Sequence, residues 1–179
     1  MAPITYRPFV PADLQRIRDI ERSERIGVLY IQHGTQLEER HGDFDSPNWR
    51  TEGDGEHSLA AQQAHVEELL ASGAVALGAF DGDRLAGIGI LVQHLRPGIA
   101  QLAYLHVSNG YRASGIGKRL SEDLDCIARE GGDAEIVVSA TPSQNTVRFY
   151  LGCGYRPMVE PFPELFAREP EDIHLHKKL

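Results

Sequence analysis

The segment that decides the fold lies between Val107 and Leu120 and reads VSNGYRASGIGKRL. It follows an apolar run, Ile99 to Val107, which predicts a strand buried on both faces near the centre of a sheet. It leads into a helix that ends at Gly131-Gly132. The helix is predicted by apolar residues at spacings of four, four and three: Ile116, Leu120, Leu124 and Ile127. We therefore predict a central strand, a glycine-rich turn and an amphipathic helix in direct succession.

The glycine-rich turn, Arg112 to Gly117, has the properties of an anion-binding site. Glycines let the backbone approach a ligand closely, and a helix N-terminus supplies unpaired N–H groups and a positive dipole end. Arg112, Lys118 and Arg119 add positive charge, and no acid occurs in residues 108–121. The segment therefore predicts a site for a phosphate-bearing ligand, although an ordinary turn with solvated basic side chains fits the same spacing.

Two common phosphate-binding motifs do not fit this turn. The dinucleotide fingerprint needs a third glycine where this chain has Leu120, so a Rossmann site is disfavoured. The P-loop needs Ser or Thr after Gly117-Lys118, where this chain has Arg119. Magnesium-nucleotide chemistry is therefore not expected.

The composition is that of an ordinary globular domain. The chain has 179 residues, of which 41% are hydrophobic and 25% charged, so we expect one domain over residues 1–179. Its longest apolar runs, such as Leu85 to Val92, are far shorter than the roughly 20 residues of a membrane span, and its start lacks a signal-peptide pattern. A net charge of -8 disfavours nucleic acid as a partner. We expect a cytoplasmic protein that does not engage membranes.

Periodicity and turn residues predict the remaining elements. They are a strand at Ile4–Arg7, a helix from Pro11, a partly helical segment at Tyr30–Arg40, a loop at His41–His57, a helix between Ser58 and Gly73, a hairpin of Ala74–Phe80 and Arg84–Gln93, a strand at Glu135–Ser139, a helix at Gln144–Leu151, a strand at Gly154–Met158, an irregular proline-rich loop at Arg156–Glu171 and a strand at Asp172–Lys178. In the last strand His174 and His176 are expected on an exposed face. Two histidines without a third ligand do not predict a metal site.

Two motifs together carry a specific resemblance. Arg112-x-x-Gly115-x-Gly117 after a central strand resembles the acetyl-CoA diphosphate-binding motif of the GNAT N-acetyltransferase superfamily. The sequence FYLGCGY at residues 149–155 is similar to that family's late helix, in which an aromatic pair ending in Tyr precedes a Gly-aromatic turn. The resemblance extends from Ala74 to Leu179, whereas the N-terminal part matches only in its early strand and paired helices.

The resemblance implies an α/β fold with a mixed, mostly antiparallel sheet flanked by helices. A bulge in the strand Ile99–Val107 would separate it from the strand Glu135–Ser139 and form a V-shaped cofactor cleft. Acetyl-CoA is the implied cofactor, and the residues implied to bind it are Leu105, Val107, Arg112, Ala113, Ser114, Gly115, Ile116, Gly117, Lys118, Ser143 and Tyr150. Dimers are frequent in that family, so the resemblance leaves open that this chain forms a homodimer.

The implied chemistry assigns two catalytic positions and leaves the third, the base, open. The Val107 N–H would polarise the thioester carbonyl, and Tyr150, with an ordinary pKa of about 10, would protonate the leaving thiolate. Tyr150 could also simply pack beside its aromatic neighbour. The base is not assigned, because Gln101, Ala103 and Val138 stand where relatives often have a carboxylate. His106 is a candidate, and a water chain or a carboxylate from residues 41–57 would serve equally.

The resemblance predicts direct acetyl transfer to a primary amine in a ternary complex. We expect a small acceptor, with cationic amines such as an amino-sugar antibiotic, a polyamine or an amino-acid derivative as the candidates. The acidic loop and the proline-rich loop are candidates for the acceptor cleft, although solvated surface loops fit equally. The acids concerned are Asp43, Asp45, Glu52, Asp54 and Glu56. Two alternatives stay open: acetylation of a protein lysine or N-terminus, and a non-catalytic acyl-CoA-binding sensor.

Overall fold

The fold was taken from a computed structural model that describes residues 3–53 and 55–179. The strands are β1 (Thr5–Pro8), β2 (Glu24–His33), β3 (Gln36–Ser46), β4 (Val75–Asp81), β5 (Arg84–Arg96), β6 (Ile99–Val107), β7 (Glu135–Ala140), β8 (Arg156–Pro157) and β9 (Ile173–Lys178). The α-helices are α1 (Leu59–Ala71), α2 (Ile116–Glu130), α3 (Gln144–Gly152) and α4 (Pro163–Arg168). Two 3₁₀ helices cover Pro11–Asp19 and Asn109–Tyr111.

A seven-stranded sheet forms the centre of the molecule, in the order β1-β4-β5-β6-β7-β9-β8. Neighbouring strands run antiparallel except β6 and β7, which are parallel. Strand β6 is thus the middle strand, as its apolar sequence predicts. The mixed, mostly antiparallel sheet with flanking helices confirms the predicted fold class.

Helix α2 packs closely on one face of this sheet. Leu120 and Leu124 are fully buried there, which contributes about 1.5 to 3 kcal/mol for each side chain. Two glycines of β5 permit the close approach, because a Cβ at Gly87 would lie 2.8 Å from Ile116 and one at Gly89 would lie 2.7 Å from Leu124. The glycines thereby set how near α2 lies to the middle strand.

The opposite face is covered by the first 3₁₀ helix and by α1. Ile17 and Val66 are fully buried in a cluster that also contains Phe80 and Tyr104. The predicted helix from Pro11 is therefore present, but it is 3₁₀ rather than α-helical. The side chain of Ser58 caps α1 by accepting from the Ala61 amide, as predicted.

The prediction of a partly helical segment at Tyr30–Arg40 is wrong. Strands β2 and β3 form a separate antiparallel hairpin there, and residues 41–46 of the predicted loop belong to β3. In β2 the buried residues Ile26, Val28 and Tyr30 alternate with more exposed ones, which is the period of a strand. Gly34, at a φ of 58°, supplies the left-handed turn.

Two predictions for the C-terminal part of the chain also need correction. The proline-rich segment is not wholly irregular, because Pro163 begins the short helix α4. The expectation of an exposed His174 is wrong: the side chain is 1% exposed and lies beneath α4, with the Phe166 ring 5.9 Å away. Its ring nitrogens contact Ser139 Oγ at 3.3 Å and the Glu169 carbonyl oxygen at 3.0 Å.

Within the described part of the chain, the helices are too short or too polar to cross a membrane.

Candidate active site

Strands β6 and β7 separate at one end and leave a V-shaped gap. Their parallel pairing covers only three residue pairs, from Ile99 opposite Glu135 to Gln101 opposite Val137. Strand β6 continues to pair with β5, but the register shifts by one residue at Ala103, which has no partner in β5. An extra residue of this kind is a β-bulge, which bends its strand. The bulge accounts for the predicted cleft.

The backbone of Leu105 and Val107 faces this gap. The Ser108 amide donates to the Ala86 carbonyl oxygen at 2.9 Å, and antiparallel residue pairs alternate between bonded and non-bonded positions. Leu105 and Val107 are therefore at non-bonded positions, with their N–H and C=O groups directed away from β5. The Val107 carbonyl oxygen accepts instead from the Arg112 side chain at 3.4 Å.

The turn before α2 presents six successive amides without a protein acceptor. Within the described residues, no hydrogen bond is donated by the amides of Ala113, Ser114, Gly115, Ile116, Gly117 and Lys118. The backbone is left-handed at Ala113, with φ 59°, and at Gly115, with φ 86°. Such alternation directs successive N–H groups into a concave anion site, next to the positive end of a helix. The turn therefore fits the diphosphate of the expected cofactor.

The basic side chains around this turn are bound to the protein. The Arg112 guanidinium donates to the carbonyl oxygens of Arg22 at 2.9 Å and Ser23 at 3.3 Å, and lies 3.7 Å from the Glu24 carboxylate. The other ion pairs are Lys118 with Glu122 at 3.7 Å and Arg119 with Asp123 at 2.8 Å. The anion site is therefore formed by backbone amides, and Arg112 supports the turn.

Strand β2 crosses the same end of the cleft. Glu24 accepts from the Asn145 side chain at 2.6 Å, and the Tyr30 amide donates to the Pro142 carbonyl oxygen at 2.8 Å. Further along, the Gln32 side chain accepts from the His174 amide at 2.7 Å. The hairpin thus joins the turn, the start of α3 and β9. This connection was not predicted from the sequence, because β2 itself was not predicted.

Ser143 lies at the start of α3, where its hydroxyl caps the helix. The oxygen accepts from the Thr146 amide at 3.4 Å, and the hydroxyl donates to Thr146 Oγ1 at 3.0 Å. The residue is 1% exposed. The hydroxyl is thus engaged within the helix cap, and a contact with pantetheine stays a prediction.

Tyr150 lies on α3 with a buried ring and a hydroxyl that is free to donate. The ring makes edge contacts with Phe149 at 5.1 Å and Tyr155 at 5.3 Å. Within the described residues, the hydroxyl has no hydrogen-bond partner. Burial raises the pKa of Tyr150, and negative charge at Cys153 and Asp172 raises it further. The phenol therefore stays protonated at neutral pH, as a proton donor requires.

His106 packs within an aromatic cluster on the α1 side of β6. Its ring lies 4.5 Å from that of Tyr104 and 5.4 Å from that of Trp49, between ring centroids. Burial lowers the pKa of His106 to about 3, and the charges of Arg22 and Arg112 act in the same direction. A ring with this pKa is neutral at pH 7 but holds an abstracted proton poorly, so its surroundings argue against a role as general base.

A small cavity of about 50 Å³ lies where β6 and β7 separate, beside a wider groove of about 370 Å³. The cavity is lined by His65, Leu69, Gln101, Leu102, Ala103, Ser139, Arg168 and Glu169. The proline-rich segment therefore contributes to it through residues 168 and 169. Residues 41–53 and 55–57 are not among its lining residues, and Asp54 lies outside the described residues.

Several acetyltransferases are among the proteins with a similar architecture. Residues 52–165 match the family model of the acetyltransferase (GNAT) domain. Nourseothricin acetyltransferase shares 16% identity over 98% of each chain, with a TM-score of 0.73. The PaiA N-acetyltransferase of Thermoplasma acidophilum, solved with coenzyme A, shares 17% identity over 98% of this chain and 99% of that one, with a TM-score of 0.63.

An aminoglycoside 6'-N-acetyltransferase, also solved with coenzyme A, shares 20% identity over 69% of this chain and 82% of that one, with a TM-score of 0.58. At these identities the likeness establishes the fold. No curated protein matches the sequence.

Proposed function

Because the chain belongs to the GNAT acetyltransferase family, we propose that it transfers an acetyl group from acetyl-CoA to the primary amine of a small molecule. The match over residues 52–165 confirms the resemblance read from the motifs at residues 112–117 and 149–155. One observation carries the proposal: six unbonded amides form a concave turn beside the gap between β6 and β7.

The acyl donor is acetyl-CoA. The amides of residues 113–118 hold its diphosphate, and the backbone of Leu105 and Val107 binds the pantetheine arm in the cleft. Support for this orientation comes from the alternating hydrogen bonds of β6, which leave these N–H groups turned away from β5. Ser143 lies at the start of α3, the helix that follows β7 in the chain.

Two groups of the chain assist the chemistry. The Val107 N–H stabilises the negative charge that develops on the thioester oxygen, a contribution of about 3 kcal/mol in enzymes where such a donor has been removed. Tyr150 protonates the sulfur as the carbon–sulfur bond breaks. Its buried ring, unbonded hydroxyl and raised pKa support that role.

The acceptor amine enters through the cavity beside α1 and α4. This cavity reaches Ala103 and Ser139, at the point where the strands separate, so an amine there would meet the acyl group at the bulge. Its small volume favours the end of a flexible or compact molecule. The acetyltransferases of similar fold that are named for nourseothricin and aminoglycosides make amino-sugar and related antibiotics the first acceptors to examine.

The test is release of free thiol from acetyl-CoA over a broad amine panel, with calorimetric binding of coenzyme A in parallel. The panel contains streptothricin-type and aminoglycoside antibiotics, polyamines, amino acids, and peptides with free lysine or N-terminal amines. Turnover of a small amine supports the proposal. Turnover of peptides alone makes the protein a peptide acetyltransferase. Binding of coenzyme A without turnover of any amine makes it a sensor and contradicts the proposal.

A further inference from the structure

A carboxylate at the start of β9 lies close to the proposed acyl-transfer centre. Asp172 directly precedes Ile173, which pairs with Ala140 at the end of β7. Its amide donates to the carbonyl oxygen of Glu169, a residue that lines the cavity. The backbone of Asp172 therefore adjoins both a residue that lines the cavity and the end of β7.

Asp172 also interacts with the proposed proton donor. Burial is the main cause of the raised pKa of Tyr150, and the charge of Asp172 is one of two that raise it further. The carboxylate of Asp172 therefore acts electrostatically on the phenol. The Asp172 side chain is partly buried and, within the described residues, has no hydrogen bond or ion pair. A partly buried carboxylate without a protein partner is available to a cationic ligand.

The groups that act on Asp172 favour proton uptake at neutral pH. Burial, together with the carboxylates of Glu169 and Glu171 on the same segment, raises its pKa to about 7. From α3 the interacting group is the neutral phenol of Tyr150. On β9, the ring of His174 is bound to Ser139 and to the Glu169 carbonyl oxygen, and burial lowers the pKa of His174. A base with a pKa near the working pH transfers protons most effectively.

Other titratable groups near the cleft fit the role of base less well. His106 is packed between two aromatic rings and has a strongly lowered pKa. Both ring nitrogens of His174 are occupied, by Ser139 and by the Glu169 carbonyl. His65 lines the cavity from α1, but its ring packs toward Tyr104, with 6.1 Å between the ring centroids, and it does not act on Tyr150.

We propose that Asp172 is the general base that takes a proton from the ammonium group of the acceptor. This inference rests on the proposed function. The first ammonium proton goes to Asp172, and the freed lone pair forms the carbon–nitrogen bond as the carbon–sulfur bond breaks. The Tyr150 hydroxyl gives its proton to the sulfur, and a second proton from the nitrogen restores the phenol. One proton passes from Asp172 to solvent in each cycle, so the products are an amide, coenzyme A and one proton.

The experiment compares wild type, Asp172→Asn and Glu171→Gln over pH 5.5–9 with an amine that wild type acetylates. We expect wild-type kcat/KM to rise with pH and level off above about pH 7. In Asp172→Asn, kcat/KM should no longer show this limb, the rise with pH, and should lie at least about a hundredfold below the wild-type plateau. The calorimetric affinity for coenzyme A should be unchanged. Glu171→Gln should keep the plateau and move the limb to lower pH, because one of the charges that raise the pKa of Asp172 is gone.

A readout without turnover accompanies the kinetics. In ¹³C-aspartate spectra of the free protein, one carboxyl should titrate near pH 7, and this signal should be absent from Asp172→Asn. If the substitution prevents folding, the wild-type titration and the Glu171→Gln limb decide the question. Retention of kcat/KM and of the limb in Asp172→Asn, or loss of the limb in His65→Gln instead, overturns the assignment. Failure of wild type to acetylate any amine contradicts the proposed function itself.

Discussion

The guanidinium of Arg112 donates to the carbonyl oxygen of Arg22 at 2.9 Å, and this bond connects the glycine-rich turn before α2 to the segment that leads into β2. Arg112 is the first residue of the motif that identified the family. Its side chain is turned toward the protein backbone, with Glu24 as its ion-pair partner. The conformation of the turn therefore depends on a residue that is distant in sequence.

Substitution Arg112→Ala should weaken coenzyme A binding about tenfold, equivalent to about 1.4 kcal/mol. The reason is that the carbonyl groups of residues 22 and 23 lose their donor, so the turn is no longer held in its binding conformation. Calorimetry measures the change. Arg119→Ala is the matched control, because it removes an exposed charge whose ion-pair partner is Asp123 and should alter affinity little. Equal losses in both variants would show that net charge rather than the turn decides affinity.

Substitution Gly115→Ala should destabilise the fold by about 1 to 2 kcal/mol and reduce coenzyme A affinity. Gly115 has a φ of 86°, a left-handed conformation that is sterically unfavourable for residues with a Cβ. This backbone strain arises even though nothing lies within 4 Å of an added Cβ. Gly110→Ala is the control, since Gly110 has open space and an ordinary φ. Chemical denaturation and calorimetry report the two effects. If the two variants behave alike, the left-handed conformation has no role in binding.

Substitution Tyr150→Phe should preserve acetyl-CoA affinity and lower kcat at least about tenfold. The ring contacts remain, because only the hydroxyl is removed and it has no protein partner within the described residues. Single-turnover kinetics with saturating acceptor measure the effect. An unchanged kcat removes Tyr150 from the mechanism.

Substitution Asp172→Asn should stabilise the protein at pH 8 but not at pH 4. Between the ordinary pKa of 3.8 and the raised value of about 7, the folded protein keeps a proton that the unfolded chain has released. The free energy of unfolding therefore falls as pH rises through this range, and the loss is complete above about pH 7. For a partly exposed group we expect about 1 kcal/mol, or about 3 °C in Tm. Calorimetric melting at both pH values is the measurement. A Tm difference that does not depend on pH would mean that Asp172 does not carry a raised pKa.

The part of the molecule that we propose binds the cofactor is predicted well from the sequence. Helix α2, its strand and its turn follow from strong local signals, namely apolar spacing, glycines at left-handed positions and an apolar run. These features do not depend on distant contacts. The motif at residues 112–117 could therefore be assigned before the fold was known.

The acceptor side could not be predicted in the same way. Strand β3 is mostly polar and exposed, so it has no hydrophobic period that would identify it as a strand. The burial of His174 depends on α4, which is only six residues long. Asp172 has no motif around it, and its environment arises from the meeting of β7, β9 and α3. A signal for β2 was available in the alternation of Ile26, Val28 and Tyr30.

The central claim is that the amides of residues 113–118 bind a diphosphate, and calorimetry with two ligands tests it most directly. Coenzyme A and pantetheine share the thiol arm, but only coenzyme A carries the diphosphate. We expect coenzyme A to bind in the micromolar range and pantetheine at least about a hundredfold more weakly, a difference of about 2.8 kcal/mol. Absence of heat with coenzyme A, or equal affinity for the two ligands, would contradict the account.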